Sequence, residues 1–515
     1  MLIPQPRSAT YGPGSFTLTE RSTVDAPAEI AELLRELIGP ATGLPLPDHP
    51  ALVGAPYSAP GDNKVPLQFT VDPGLGLGAE GYRLRVDESG VRASATNLAG
   101  LRWAAQTLRQ LLPVEVFAPT TVATREWTVP HVDVVDEPRY AWRGAMIDVA
   151  RWYKPVWWLR RFVDLVAMHR MNVVHLHLTD DQGWRFQVQR YPRLTDVGAY
   201  RRESPRGHEA AGVGDGTPHG GWYTQDDLRH LVHYAARRGV TIVPEIDLPG
   251  HTQAVVAAYP ELGNDPAARH EVWTRFGVSP HILNADDATL EFMRHVLDEV
   301  MRVFPSPYIH LGGDEVPPQE WLANPNAQKR MADLGIQDHR DLLSWWVGQI
   351  GAHVAAGGRT PVVWDELVGT GPQHGVVIMA WRGHDRVAEA LNTGHRVVAT
   401  PHTHMYLNYP QSDAPGEPLS IADGGPATHE GVTTLSATYG YDPGPPPGVL
   451  GMQANLWTEY APTPGRAEYD LMPRLAAVAE LGWGTAGDEG DLRRRLLTHL
   501  RRLDHAGITY RPLDP

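Results

Sequence analysis

Two neighbouring carboxyls, Asp314 and Glu315, end the segment His310-Leu-Gly-Gly-Asp-Glu315. Glycine adopts backbone conformations that strain other residues, so the paired glycines allow a sharp exit from an extended run and let both acids reach one cleft. Two close carboxyls do not both ionise freely, so one is expected to keep its proton to a higher pH. An acid still protonated near neutrality is able to protonate a leaving group. Acid pairs after glycines also occur as plain solvated loops, so this pair decides nothing alone. Other groups of the same kind accompany it. Short β-branched runs recur along the chain, and each is followed by a polar or aromatic anchor. In order these are Arg151; Asp180, Asp181 and Trp184; Asp247 and His251; Asp314 and Glu315; Trp364 with Asp365 and Glu366; Trp381; Tyr406 and Asn408; Trp457 and Glu459. Acids and an arginine suit the hydroxyl groups of a sugar. Indole faces pack on the apolar faces of pyranose rings. No lysine stands among these anchors, which disfavours Schiff-base chemistry, and no glycine-rich phosphate loop accompanies them.

The elements that must position these groups read as alternating strands and helices. The runs are residues 145–149, 173–178, 241–246, 308–311, 361–364, 376–380, 396–399 and 451–456. Apolar residues at helical spacing fill 157–169, 224–238 and 288–304, and Thr224 with Asp227 makes a capping box for the second. Eight such units predict a parallel (β/α)8 TIM barrel over residues 139–515, with its active site at the C-terminal strand ends. Residues 1–138 read as a smaller α+β domain with a structural role. It has half-buried strands at 67–71 and 82–86, the latter in a hairpin with 91–95, and helices at 30–38 and 98–112. Residues 204–221 and 412–448 read as loops, and the second is long enough to suggest a functional one.

Composition narrows the function classes. A chain of 515 residues implies two or three domains. A formal net charge of -15 argues against nucleic-acid binding. The absence of cysteine excludes disulfides and cysteine metal sites. Tryptophan, at 16 against 8 phenylalanines, fits either core filling or sugar stacking, and position must decide. No stretch is long and apolar enough to span a membrane. The start, MLIPQPRSATYGPG, lacks a basic segment followed by an apolar one. A cytoplasmic location is the expectation, with export the alternative where a leader has been removed.

Several long motifs in order give the chain a family resemblance. They are Gly100-Leu-Arg-Trp-Ala-Ala-Gln-Thr-Leu-Arg-Gln-Leu-Leu112, Arg143-Gly-Ala-Met-Ile-Asp-Val-Ala-Arg151, His175-Leu-His-Leu-Thr-Asp-Asp-Gln-Gly-Trp184, Pro244-Glu-Ile-Asp-Leu-Pro-Gly-His251, the His310–Glu315 segment, and Leu456-Trp-Thr-Glu459. Over essentially its whole length the chain resembles glycoside hydrolase family 20, the β-N-acetylhexosaminidases. The resemblance implies a retaining exo-enzyme acting on N-acetylhexosaminide oligosaccharides or glycoconjugates. It also implies substrate-assisted catalysis, an exception to the two-carboxylate scheme. Glu315 would be the general acid and then the base. Asp314 would hold the acetamido N–H, and Tyr406 the acetamido oxygen. Trp364, Trp381 and Trp457 would wall the pocket, while Arg151 and Glu459 would bind ring hydroxyls. Asp180, Asp247 and His251 would form a supporting shell. No cofactor or metal is implied.

Plainer readings stand beside these. Arg151 suits a barrel mouth, Asp247 a helix cap, His251 a helix start, and the tryptophans a core. Two departures from the family pattern occur. Asn408 stands where an aspartate is common, which bears on gluco/galacto preference. Residues 414–431 contain no aromatic residue where one is expected for the outer wall. The rival functions are a disaccharide-releasing enzyme of the same family, a sugar-binding protein without turnover, and a metal-dependent barrel hydrolase. The last is prompted by His175 and His177, which share one strand face.

Overall fold

A computed structural model describes residues 1–49, 67–370, 375–420, 431–484 and 486–514. The N-terminal part is a six-stranded sheet in the spatial order Ser8–Leu18, Trp127–Asp136, Tyr82–Asp87, Gly90–Ala95, Leu67–Val71, Val24–Asp25. Along Tyr82–Asp87, Tyr82, Leu84 and Val86 are buried while Arg83 and Arg85 are exposed, as a one-faced strand requires. Helix Leu98–Leu111 lies against it, and helix Ala28–Thr42 packs on that helix. The side chain of Asn97 caps the second by accepting the Ala99 N–H.

The remainder builds a closed barrel of parallel strands. These are β1 (Trp142–Asp148), β2 (Val173–His177), β3 (Thr241–Glu245), β4 (Tyr308–His310), β5 (Thr360–Trp364), β6 (Val377–Ala380), β7 (Arg396–Ala399) and β8 (Val449–Leu456). They coincide with the eight expected runs to within one to three residues at each end. Both faces of these strands are covered, which is why they read as short apolar runs without alternation. β8 pairs with β1 from Gly451↔Trp142 to Leu456↔Ile147 and closes the ring. Gly451 has φ 154°, and a Cβ there would lie 1.8 Å from the Trp142 carbonyl oxygen, so the seam admits only glycine.

Helices Val156–Met168, Gln225–Arg237 and Asp287–Val303 follow β1, β2 and β3, and the Thr224–Asp227 capping box is present. Three helices, Gln319–Ala323, Pro325–Leu334 and His339–Ala356, occupy the β4–β5 connection. Among the described residues the β5–β6 connection has only the 3₁₀ turn Asp365–Leu367. The expected 204–221 loop ends in a short pairing of Tyr200–Arg201 with His219–Gly220. The expected 412–448 loop contains helix Leu435–Tyr439, and its residues 421–430 lie outside the described ones. Among the described residues no helix is long and apolar enough to cross a membrane.

The N-terminal sheet is wired to the base of the barrel by buried arginines. The Arg143 guanidinium lies 5.7 Å from the Trp103 ring and 5.1 Å from the Trp483 ring, and it pairs with Glu80. Arg170 pairs with Asp136, which also accepts the Trp483 indole N–H at 2.8 Å. A second buried contact has a pH consequence. His169 Nε2 lies 2.9 Å from His499 Nε2, joining the helix after β1 to the C-terminal helix Glu489–Ala506. Burial pushes His169 down to about 4 and His499 well below its ordinary value. Unfolding lets both take up protons near the ordinary histidine value of about 6.5. Their contribution is therefore complete above that pH and is lost as pH falls from there towards about 4. Thermal unfolding from pH 7 to 4 should show the Tm falling by several degrees, and His499→Leu should flatten part of that fall. An unchanged slope in the variant would remove the pair from the account.

Candidate active site

The C-terminal ends of β1, β2, β3, β4, β5 and β8 converge on a chain of alternating charges. Glu245, the last residue of β3, is fully buried. Its carboxylate lies 3.0 Å from His175 Nε2 and 2.9 Å from His310 Nδ1, and it accepts His177 Nδ1 at 2.5 Å and the Trp364 indole N–H at 2.9 Å. Burial alone would raise this carboxyl, but the three imidazoles outweigh it and hold the group well below the usual carboxylate range. His177 Nε2 donates in turn to Asp180 Oδ2 at 2.8 Å. The same oxygen accepts Arg151 Nη2 at 2.8 Å, and Asp180 Oδ1 lies 3.1 Å from His251 Nδ1. Burial opposes charge on His251, and Asp180 with Asp181 overrides it, so the imidazole stays cationic well above its ordinary value. Its Nε2 then faces the acid pair, 3.4 Å from Glu315 Oε2 and 3.7 Å from Asp314 Oδ2.

The turn carrying that pair is held by shape. Gly312 has φ 67°, and a Cβ on it would lie 1.7 Å from Asp247 Oδ1. Asp247 accepts the Gly313 N–H at 3.3 Å through that oxygen. Glu315 and His251 both have positive φ, 46° and 52°, a strained state for such residues that clusters at functional sites. Asp314 is 7% exposed, and its Oδ1 is buried without a hydrogen-bond partner. Burial, with Asp247 behind it, raises Asp314 well above the usual range, and burial pushes Asp247 itself up to about 8. The Glu315 side chain is 43% exposed. Burial would raise it as well, but contact with cationic His251 pulls it below its ordinary value. One member of the pair does rise, as the sequence leads one to expect. It is Asp314, raised by burial and by Asp247, and not Glu315, the expected proton donor, which contact with His251 holds low in the empty site.

At the other end of the cleft, Arg151 is fixed from three sides. Its Nε donates to Gln182 Oε1 at 2.8 Å, it pairs with Asp148 at 3.3 Å, and Glu459 lies 3.8 Å away. Its guanidinium sits 5.1 Å from the Trp457 ring. Asp148 also accepts the Thr458 N–H at 3.1 Å, so one carboxylate sets the Arg151 and Glu459 ends relative to each other. Between the two ends lies an aromatic group. Trp364 and Trp457 are 6.0 Å apart, and Tyr406 is 6.2 Å from Trp457. Trp381 lies 6.1 Å from Tyr406 and 15° from parallel with it. Tyr409 stacks on Tyr406 at 6.2 Å. A backbone bridge to Asn455 on β8 brings Tyr406 in. Asn408 is half-buried in the same segment, with its Oδ1 buried and without a hydrogen-bond partner.

Arg151, Asp180, Asp247, His251, Asp314, Glu315, Trp364, Trp381, Tyr406, Trp457 and Glu459 thus come together around one cleft, with Asn408 beside Tyr406. Sequence reasoning gave no role to Asp148, Gln182 or Glu245; it met His177 only through the metal-hydrolase alternative and Glu366 only as an anchor after its strand. His177 and Glu245 were visible as inward-facing strand residues inside motifs, but their partners come from four different strands. His175, Glu245 and His310 offer ligand atoms close enough together for a metal ion. Both nitrogens of the neighbouring His177 are engaged by carboxylates, and β5 ends in Trp364 and β6 is followed by Trp381 rather than by further imidazoles.

Comparison with known proteins agrees with this geometry. Residues 140–486 match the glycosyl hydrolase family 20 catalytic domain, and residues 1–137 match domain 2 of the same family. A β-hexosaminidase from Porphyromonas gingivalis is 38% identical over 99% of this chain, which spans 64% of that protein. A β-N-acetylhexosaminidase from Cellulomonas fimi is 32% identical, with 99% of this chain and 95% of the relative covered. Among solved structures, the family 20 β-N-acetylhexosaminidase of Streptomyces coelicolor A3(2) superposes with a TM-score of 0.83 at 30% identity, covering 99% of this chain and 97% of that one. The exo β-N-acetylglucosaminidase of Vibrio harveyi, solved with N-acetylglucosamine, gives 0.85 at 29% identity, covering 99% and 78%. With a barrel that places Asp314 and Glu315 beneath cationic His251 and opposite Arg151, and with both family models covering it almost end to end, the chain belongs to glycosyl hydrolase family 20.

Proposed function

We propose that the chain is a retaining exo-β-N-acetylhexosaminidase that removes terminal, non-reducing β-linked N-acetylglucosamine or N-acetylgalactosamine from oligosaccharides or glycoconjugates. The observation that carries this reading is the unpartnered, buried Asp314 oxygen beside an exposed Glu315, in a cleft walled by aromatic rings and ended by Arg151 and Glu459. The acetamido N–H of the sugar supplies the donor that Asp314 lacks. The acetamido oxygen, oriented by Tyr406, attacks C1 while Glu315 protonates the glycosidic oxygen, and the C1–O bond breaks. A cyclic oxazolinium ion results, its positive charge facing Asp314. Glu315, now ionised, takes a proton from water as that water adds to C1 and reopens the ring, so the anomeric configuration is retained. Arg151 and Glu459 hold ring hydroxyls at the closed end, which limits the site to chain termini.

The test uses p-nitrophenyl β-glycosides of N-acetylglucosamine, N-acetylgalactosamine and glucose. Release is expected from the first two only, because glucose carries no acetamido nucleophile. Cleavage of the glucoside at a comparable rate would overturn substrate assistance. No release from any of them would favour a disaccharide-releasing enzyme. The ratio between the two amino sugars reads the effect of the uncharged Asn408.

A further inference from the structure

One carboxyl at the cleft has no part in the reaction above. Glu366 lies two residues beyond Trp364, in the 3₁₀ turn Asp365–Leu367. The Trp381 indole N–H points between its two oxygens, at 3.1 and 3.2 Å. The adjacent Asp365 faces elsewhere, accepting Arg382 Nε at 2.7 Å and the Arg382 backbone N–H at 3.2 Å. Arg382 is thereby committed to Asp365 and stands 3.8 Å from Glu366. The Glu366 side chain is only 14% exposed. Burial raises it well above the usual carboxylate range, and Asp314 and Asp365 add to the rise.

An indole is a rigid plane, and a hydrogen bond at Nε1 fixes its rotation about the side-chain axis. Trp381 lies within 15° of parallel with Tyr406, so its tilt sets the space between those two rings. The paired oxygens of Glu366 hold that tilt by accepting the indole N–H from one side of the ring.

We propose that Glu366 is a positioning residue that sets acyl-group specificity: by anchoring the Trp381 indole N–H, it fixes the wall against which the 2-N-acyl group of the sugar packs. The proposal rests on the reading that the acyl group lodges among Trp364, Trp381 and Tyr406. A well-fixed wall admits acetyl and resists a longer acyl chain. One methylene in such a pocket discriminates by about 10–200-fold.

The experiment measures kcat and KM on the p-nitrophenyl 2-acetamido and 2-propionamido β-glucosides, with Tm for each variant. Wild type should prefer the acetamide by about 10-fold or more. Glu366→Leu should lower kcat on the acetamide by about 100-fold, as a misplaced wall does, and bring the acyl preference towards unity at unchanged Tm. Glu366→Gln, which keeps an acceptor oxygen, should restore the preference and most of the rate. Trp381→Phe removes the donor while keeping a ring, and should shrink the preference even if the leucine variant folds poorly. In soluble protein the double variant should add little to either single change. An undiminished preference in Glu366→Leu or Trp381→Phe overturns the proposal, as does a glutamine variant as impaired as the leucine one. Wild-type cleavage of the glucoside at a comparable rate instead overturns the catalytic reading beneath it.

Discussion

Glu315→Ala is expected to lower kcat on an N-acetyl disaccharide by about 10²–10⁴-fold, the usual contribution of a positioned general acid. The loss should be smaller on the p-nitrophenyl glycoside. p-Nitrophenolate leaves without needing a proton, whereas a sugar alkoxide does not. Comparing the two substrates therefore separates an acid from a residue that only shapes the pocket, and equal losses on both would sink the assignment. The pH profile gives an independent reading. In the open site Glu315 is partly exposed and held low by His251. A sugar lying over it excludes water and raises its pKa. Activity that needs protonated Glu315 is lost as pH rises through that pKa. Because kcat/KM reports the free enzyme and kcat the complex, the basic limb of kcat should lie at higher pH than that of kcat/KM. Both limbs should disappear in the alanine variant.

The barrel was largely legible because its strands are covered on both faces and so stand out as short β-branched runs. The anchors after each run were legible for the same reason: a (β/α)8 barrel brings consecutive strand ends to one rim. What stayed hidden depends on contacts that closure creates. Glu245 gathers donors from β2, β4 and β5, and no spacing along the chain announces that meeting. The ordering of the Asp314 and Glu315 pKa values was hidden too, since it turns on the burial of Asp314 beside Asp247 and on the contact of Glu315 with His251. The N-terminal strand Ser8–Leu18 escaped because most of its residues are exposed and show no alternation; it exists through pairing with Trp127–Asp136. Two extra helices, Gln319–Ala323 and Pro325–Leu334, likewise precede the long helix His339–Ala356 between β4 and β5, where a regular alternation suggests a single one.

Asp314→Asn should fall mainly on kcat, by about 10²–10³-fold, the scale on which one electrostatic stabiliser of a transition state is felt. The asparagine oxygen still accepts the acetamido N–H, so ground-state binding and KM should change far less. What the variant lacks is the negative charge that an oxazolinium ion requires. A raised KM with kcat unchanged would show that Asp314 binds the sugar without stabilising the reaction. The acid limb of the pH profile carries the same argument. Burial and Asp247 favour the protonated form of Asp314 in the empty site, while the chemistry needs the proton on Glu315. The pair therefore titrates as a unit, and its apparent pKa values belong to both groups. Substrate binding moves the proton across: the acetamido N–H favours ionised Asp314, and exclusion of water favours protonated Glu315. Activity that needs ionised Asp314 is gained as pH rises through its raised pKa. In Asp314→Asn that acid limb should vanish and leave only the basic limb of Glu315, so a surviving acid limb would assign it to another group.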